Sequence, residues 1–365
     1  MDRVEISEAS EVVVTVGVDT HLDSHVGVAL DQFGRKLDTI HFSASGNGHR
    51  RLLEWARRLG VINKFGIEGT GSYGAGLTRY LRRQSIDVVE VIRPSRQARR
   101  LSGKSDPLDA EAAARAVQAG TVLGQAKSQD GAVEMIRILR VARRSAMQAR
   151  TQAANQLHAV IVTAPEDLRE RLRRLPISKL VGTAARFRPG PVGTLEAASK
   201  LALKSLAARY QHLSEEIAAL DIEIERLARQ AAPNLFEVKG IGPDTGAALL
   251  TAVGDNPSRL HSEAAFARMC GAAPIPASSG KTNRHRLNRG GNREANRALY
   301  MLAINRLSYD PRARAYAVRR SAEGKSKPEI IRCLKRYLAR EIFKVLTCDN
   351  LTRTPTAPPC NQQAA

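Results

Sequence analysis

The sequence predicts an α/β fold, a mixed sheet covered by helices, followed by a long helical segment and a mainly α C-terminal part. Three observations carry this. The run Val12-Val13-Val14-Thr15-Val16-Gly17-Val18 has the pattern of a strand buried on both faces. Further strand-like runs come first as a meander and then alternate with helical segments, as a mixed sheet requires. From Val133 onward the apolar spacing is helical.

Taken in order, Val26 to Leu30 and Lys36 to Phe42 read as a hairpin about the turn Asp31-Gln32-Phe33-Gly34-Arg35. An amphipathic helix is expected from about His49 to Leu59, stopped by Gly60. Phe65-Gly66-Ile67-Glu68 is a second buried strand, Leu77 to Arg83 a helix, and Val88 to Ile92 a strand ended by Pro94. Ser105-Asp106-Pro107 then opens an alanine-rich helix. A meander with acids at strand ends and a late acidic helix is the ground plan of the RNase H-like fold, assigned here to residues 10–125.

Residues 120–132 read as a linker into a helical region, 126–232, in which Val133 to Thr163 is a helix and Pro176 to Gly193 a loop. Leu206, Tyr210, Leu213, Ile217, Leu220, Ile224 and Leu227 alternate at spacings of four and three, the seam of a coiled coil. Self-association through that seam is expected. Residues 233–346 form the C-terminal domain, and 347–365 read as a disordered tail.

The chain of 365 residues carries a net charge of +21, which calls for a polyanionic partner. Residues 1–125 hold 17 Lys and Arg against 15 Asp and Glu, whereas residues 271–345 hold 18 against 5. The division implies chemistry in the first part and grip on phosphate in the last. No apolar run is long enough to span a membrane and no signal-peptide layout is seen, so a cytoplasmic, nucleoid-associated protein is expected. Cys270, Cys333, Cys348 and Cys360 are scattered without metal-ligand spacing. No Gly-x-x-x-x-Gly-Lys motif is present, so no nucleotide cofactor is expected. Aromatic residues are only 4% of the chain, too few for rows of base-stacking platforms.

Four carboxylates are placed for metal chemistry. Asp19 and Glu68 close buried strands, and Asp106 and Asp109 share one face at the start of a helix. Acids converging from two strands and a helix suit a hard divalent cation and an in-line phosphoryl displacement. His21 and His25 lie close by, but in the meander they read as partly exposed strand or turn histidines rather than zinc ligands.

Several basic segments read as nucleic-acid contacts. Arg137, Arg140, Arg143 and Arg144 lie on a helix in which no acid follows Glu134. Gly240-Ile241-Gly242 before a helix resembles the hairpin of a helix-hairpin-helix motif, whose backbone N–H groups hold a phosphate. Ser278-Ser279-Gly280 precedes Lys281, Arg284, Arg286, Arg289, Arg293 and Arg297. Lys335 and Arg336 sit on a basic helix whose apolar side is Ile331, Leu334, Leu338 and Ile342. By residues alone, Ser-Ser-Gly is a flexible loop beside phosphate-binding arginines, since no base is visible to activate a serine.

The ordered set Gly17-Val18-Asp19-Thr20, Ile67-Glu68-Gly69-Thr70-Gly71, Lys104-Ser105-Asp106-Pro107-Leu108-Asp109-Ala110, a coiled coil, Gly240-Ile241-Gly242, then Pro274 to Gly280 with Gly290-Gly291-Asn292, resembles the DEDD transposases of bacterial insertion sequences, relatives of Piv-type DNA invertases. The resemblance runs over roughly residues 12–346. It implies an N-terminal domain similar to that of the junction resolvase RuvC, with Asp19, Glu68, Asp106 and Asp109 binding Mg. It also implies a C-terminal serine nucleophile, Ser279 with Ser278 as the alternative, that forms a transient phosphoserine link to DNA. A dimer or tetramer working with a structured bridge RNA is implied as well. The alternatives are a metal-only RuvC-like resolvase or nuclease and a non-catalytic nucleic-acid-binding relative.

Overall fold

The computed structural model describes residues 11–91, 105–120, 125–279 and 285–348. These fall into two compact units, one holding the described residues up to Gly131 with Val253–Ser262, the other Ala132–Ala252 and the described residues from Glu263 onward.

The first unit is built on a five-stranded sheet. Its elements are β1 (Val13–Thr20), β2 (Ser24–Leu30), β3 (Lys36–Ser43), α1 (Gly46–Leu59), β4 (Val61–Glu68), α2 (Ala75–Arg83), β5 (Val88–Val91) and α3 (Asp106–Gln118). The strand order is β3-β2-β1-β4-β5. β1 to β3 pair antiparallel as the expected meander, while β4 and β5 join in parallel after helical crossovers. Alternation along β1 decides what lies on each face. Val14, Val16 and Val18 enter a core with Leu52, Trp55 and Ala56 of α1 and Leu77 and Leu81 of α2. Gly17 and Asp19 therefore point to the opposite face, where α3 lies.

Gly17 explains how closely α3 approaches. A Cβ there would come 2.0 Å from the Ala110 carbonyl and 2.4 Å from the Ala114 amide, and one at Gly66 would meet the Val117 methyl at 2.5 Å. Glycines on the two central strands and alanines on the helix bring backbone almost to backbone.

The stretch expected as a linker is in part sheet edge. Gln125 bridges Val89, the Ala126 amide donates to the Val88 carbonyl at 3.2 Å, and Gln129 Nε2 donates to the Thr70 carbonyl at 2.8 Å. Asn256, more than a hundred residues later, donates from Nδ2 to the Ala126 carbonyl and accepts from the Ser128 amide. A polar, glycine-flanked segment looks like linker in sequence because its partners are remote.

The second unit is helical: α4 (Ala132–Val162), α5 (Glu166–Leu172), α6 (Ile177–Ala185), α7 (Leu195–Ala231), α8 (Pro243–Val253), α9 (Glu263–Met269), the two-residue strands β6 (Ile275–Pro276) and β7 (His285–Arg286), α10 (Arg293–Tyr309), α11 (Pro311–Ala322) and α12 (Lys327–Cys348). Contacts run from Arg143–Asp221 at one end to Leu157 and Ile161 beside Leu203 and Ala207 at the other, so α4 and α7 lie antiparallel. Ile217, Ile224 and Leu227 of the heptad seam are buried within this pair. Part of the seam is thus packed inside one chain, while Leu206, Tyr210, Leu213 and Leu220 are only half-buried. Part of the expected loop after Pro176 is α6, because Leu180, Val181 and Ala184 pack on α7. No described helix is long and apolar enough to cross a membrane.

Candidate metal centre

Asp19, Glu68, Asp106 and Asp109 are positioned by the two central strands and α3. Parallel register pairs Val18 with Ile67, so Asp19 and Glu68 come next on neighbouring strands and share the α3 face by alternation. The Thr20 hydroxyl donates to the Glu68 carbonyl at 2.8 Å, tying the two strand ends together. Both side chains are buried in a sense that matters chemically: Asp19 is 3% and Glu68 7% exposed. α3 starts where Pro107 fixes the first turn, and the Asp109 amide donates to the Ser105 carbonyl at 3.0 Å. Seated on Gly17 and Gly66, the helix delivers its acidic first turn to the ends of β1 and β4.

The compact donor group is Asp19, His21 and Asp106, whose ligand atoms lie within 4.8 Å of one another. His21 Nε2 is 3.1 Å from Asp19 Oδ2 and 3.5 Å from Asp106 Oδ1. Asp109 and Glu68 are not in that tightest group, yet the charge of Asp109 acts on Asp19 directly. Burial holds the Asp19 carboxyl above the ordinary carboxylate range, His21 pulls it down, and the charges of Asp109 and Asp106 push it up again. Crowded anions of this kind are relieved by a cation, and two carboxylates with an imidazole suit Mg, Mn or a neighbouring first-row ion.

His21 adds to the sequence reading. It is half exposed in a turn, as expected, but its ring stands between the two acids. The available signal was its place two residues beyond a strand-end aspartate. His25 is wholly buried in β2, with its ring stacked on His49 at 6.1 Å and edge-on to Phe42 at 5.3 Å. It is a core residue, and burial followed by the neighbouring His49 lowers its pKa to about 4.

The arginines of α4 also differ from expectation. Arg137 pairs with Glu134 at 2.7 Å, Arg140 with Asp244 at 2.9 Å and Glu294 at 3.1 Å, Arg143 with Asp221, and Arg144 with Glu294. The acids missing from the helix come from α7, α8 and α10, so these arginines have carboxylate partners within the chain. Gly240 is also explained by packing, since a Cβ there would meet the Tyr309 hydroxyl at 2.7 Å and Leu302 at 2.9 Å, while Gly242 has open space around it. Before α8 stands a 3-10 turn, Pro233–Glu237, in place of the first helix of a helix-hairpin-helix.

In the serine segment, β6 pairs with β7 through Ile275–Arg286 and Pro276–His285, and Ser278 and Ser279 follow β6 exposed. Lys281 and Arg284 lie outside the described residues. Arg286, Arg289, Arg293 and Arg297 are exposed, and among the described residues none of them pairs with a carboxylate. Lys335 is instead buried at 6% exposure, its Nζ donating to Asn296 Oδ1 at 2.8 Å, and Arg336 pairs with Glu263 at 3.2 Å. Ile331, Leu334, Leu338 and Ile342 form the buried side of α12 as expected.

Family models match both ends of this arrangement. A transposase model of the DEDD, IS110-type class covers residues 16–164, including all four acids, and a model described as Transposase IS116/IS110/IS902 family covers residues 232–318, including the serine segment. Over those two stretches the chain is similar to transposases of the IS110 type. It is similar to the insertion element IS110 uncharacterized 43.6 kDa protein of Streptomyces coelicolor, 34% identical over 161 residues, which is 43% of this chain and 38% of that relative. It is also similar to the insertion element IS900 uncharacterized 42 kDa protein of Mycobacterium paratuberculosis, 30% identical over 144 residues, 37% of this chain and 36% of the relative. The aligned stretch thus spans under two fifths of each of these relatives.

Proposed function

We propose that this chain is an IS110-type DNA transposase or recombinase that cuts and exchanges strands with a Mg site held by Asp19, Glu68, Asp106 and Asp109, on an RNase H-like domain. The observation that carries the reading is the convergence of strand-end and helix-start acids on a buried Asp19 carboxylate. A divalent ion bound there would polarise a scissile phosphate and help to remove a proton from the attacking hydroxyl. The protein's own part is geometric: β1 and β4 fix two acids, and α3 presents two more.

The covalent step is assigned to Ser279, with Ser278 as the alternative. Serine Oγ would attack phosphorus, form a phosphoserine ester and release a deoxyribose hydroxyl, which takes up the proton. Attack by another strand's hydroxyl on that ester would reseal DNA and regenerate the serine, so no ATP is required. The exposed arginines Arg286, Arg289, Arg293 and Arg297 would hold phosphates. Guidance by a structured bridge RNA and assembly as a dimer or tetramer belong to the same proposal.

The test is adduct trapping. Protein is incubated with RNA from the flanking DNA, Mg and labelled element-junction DNA, then denatured. A resistant protein–DNA adduct in wild type that is lost in Ser279→Ala and Asp19→Ala is the expected result. An adduct that survives Ser279→Ala and is lost in Ser278→Ala moves the nucleophile by one residue. Cleavage that needs Asp19 but yields no adduct would make the protein a metal-only nuclease.

A further inference from the structure

Within the second unit a cavity of about 680 Å³ opens between the Gly271–Pro274 arm that leads into β6, the β7 arm and helices α11 and α12. That volume suits a ligand the size of a nucleotide. The two arms are the ones that carry the serine segment between them.

Its lining is strongly cationic. Arg286, Arg332 and Lys335 line it, and among the described residues none of the three pairs with a carboxylate. Glu329, the acid in the lining, accepts from the Ser326 amide at 2.9 Å and hydroxyl at 2.7 Å at the start of α12, and its charge also acts on Arg332, so one carboxylate offsets only part of the cationic lining. A buried ammonium costs free energy unless an anion is supplied. Among the described residues the Lys335 ammonium donates to the neutral Asn296 amide oxygen and to no carboxylate. Arg336 adds a second unmet demand, since its Nη1 is buried without a hydrogen-bond partner among the described residues.

The lining also holds an aromatic platform. Tyr337 is 54% exposed, and its ring is fixed edge-on to Tyr316 at 5.7 Å and 81°. Tyr316 is itself flanked by Arg319 at 5.4 Å and Arg320 at 5.9 Å, whereas Tyr337 is the more exposed ring of the pair. A chain poor in aromatics thus places one where positive charge converges.

We propose that this cavity takes one unstacked nucleotide of a nucleic-acid strand, with its phosphate on Arg286, Arg332 and Lys335 and its base on Tyr337. The proposal rests on the nucleic-acid reading above and adds a defined subsite at the foot of the serine segment. Stacking on one tyrosine and phosphate neutralisation are sequence-tolerant, so the subsite anchors a strand without choosing its sequence. DNA and RNA strands share this chemistry.

The experiment measures binding of the full chain to labelled (dT)8, to (U)8 and to an eight-unit abasic deoxyribose phosphate of equal charge, at fixed salt. The comparison proteins are Tyr337→Leu and Arg332→Gln, both at exposed positions. Wild type should bind (dT)8 or (U)8 about tenfold more tightly than the abasic strand, and Tyr337→Leu should abolish that difference. The stronger of (dT)8 and (U)8 identifies the strand type. Arg332→Gln should weaken all three and lower the salt slope by about one phosphate contact. Undiminished base discrimination in Tyr337→Leu overturns the subsite while leaving nucleic-acid binding intact. Displacement of every strand by free thymidine monophosphate, without base discrimination, overturns it in favour of a small-molecule site. Failure of wild type to bind any strand defeats the underlying reading itself.

Discussion

Replacing Gly17 by alanine should disable the metal centre without touching a ligand. The added methyl would lie 2.0 Å from the Ala110 carbonyl oxygen and 2.4 Å from the Ala114 amide nitrogen, both backbone atoms of α3. Real Cβ contacts stay beyond 3.0 Å, so strand and helix must separate by roughly 1 Å. Overpacking of this kind costs about 1–3 kcal/mol, and the usual gain from replacing a strand glycine, under about 1 kcal/mol, offsets only part of it. The separation acts at the site because Gly17 and Asp19 share a face and Asp106 lies one turn before Ala110. A displacement of about 1 Å in a reacting constellation costs about 100-fold in rate. The assays are urea unfolding and Mg-dependent cleavage of element-junction DNA under single-turnover conditions. Gly182→Ala is the control, because no heavy atom lies within 4 Å of the added methyl and the position is inside a helix. It should stabilise by about 1 kcal/mol. A Gly17→Ala protein with wild-type stability and wild-type cleavage would refute the claim that close seating of α3 assembles the acids.

Other substitutions separate the remaining roles. His21→Ala should weaken Mn binding about 10- to 100-fold in calorimetric titration while leaving the melting temperature nearly unchanged, as its side chain is half exposed; unchanged affinity would place His21 outside the ligand set. The buried His25 imidazole titrates near 4 in the folded chain against about 6.5 unfolded, so the unfolded state takes up the proton first as pH falls. Stability should be fully present above pH 6.5 and decline by up to about 3 kcal/mol on going down to pH 4, with a shallower decline in His25→Leu; parallel pH curves would contradict this. Arg140→Ala removes a side chain only 11% exposed that holds Asp244 and Glu294, and should cost about 2 kcal/mol in unfolding while the salt dependence of DNA binding stays the same. A reduced salt slope with normal stability would restore Arg140 as a phosphate contact.

The sequence by itself determined the sheet and the place of its acids, because those features are local. A run of branched residues ending in Asp19, another ending in Glu68, and a Pro107 helix start each lie within about ten residues, and burial pattern and turn chemistry act at that range. Tertiary structure decided which charges meet. No acid follows Glu134 on the helix of Arg140 and Arg143, and their partners lie 78 to 154 residues away. The heptad seam called for a partner helix, and only folding supplied α4 of the same chain. His21 looked like a turn residue until α3 brought Asp106 against it. The cavity around Lys335 draws on three separated stretches of chain. Electrostatic and packing partners depend on how elements stack in space, and residue order constrains that only through the finished topology.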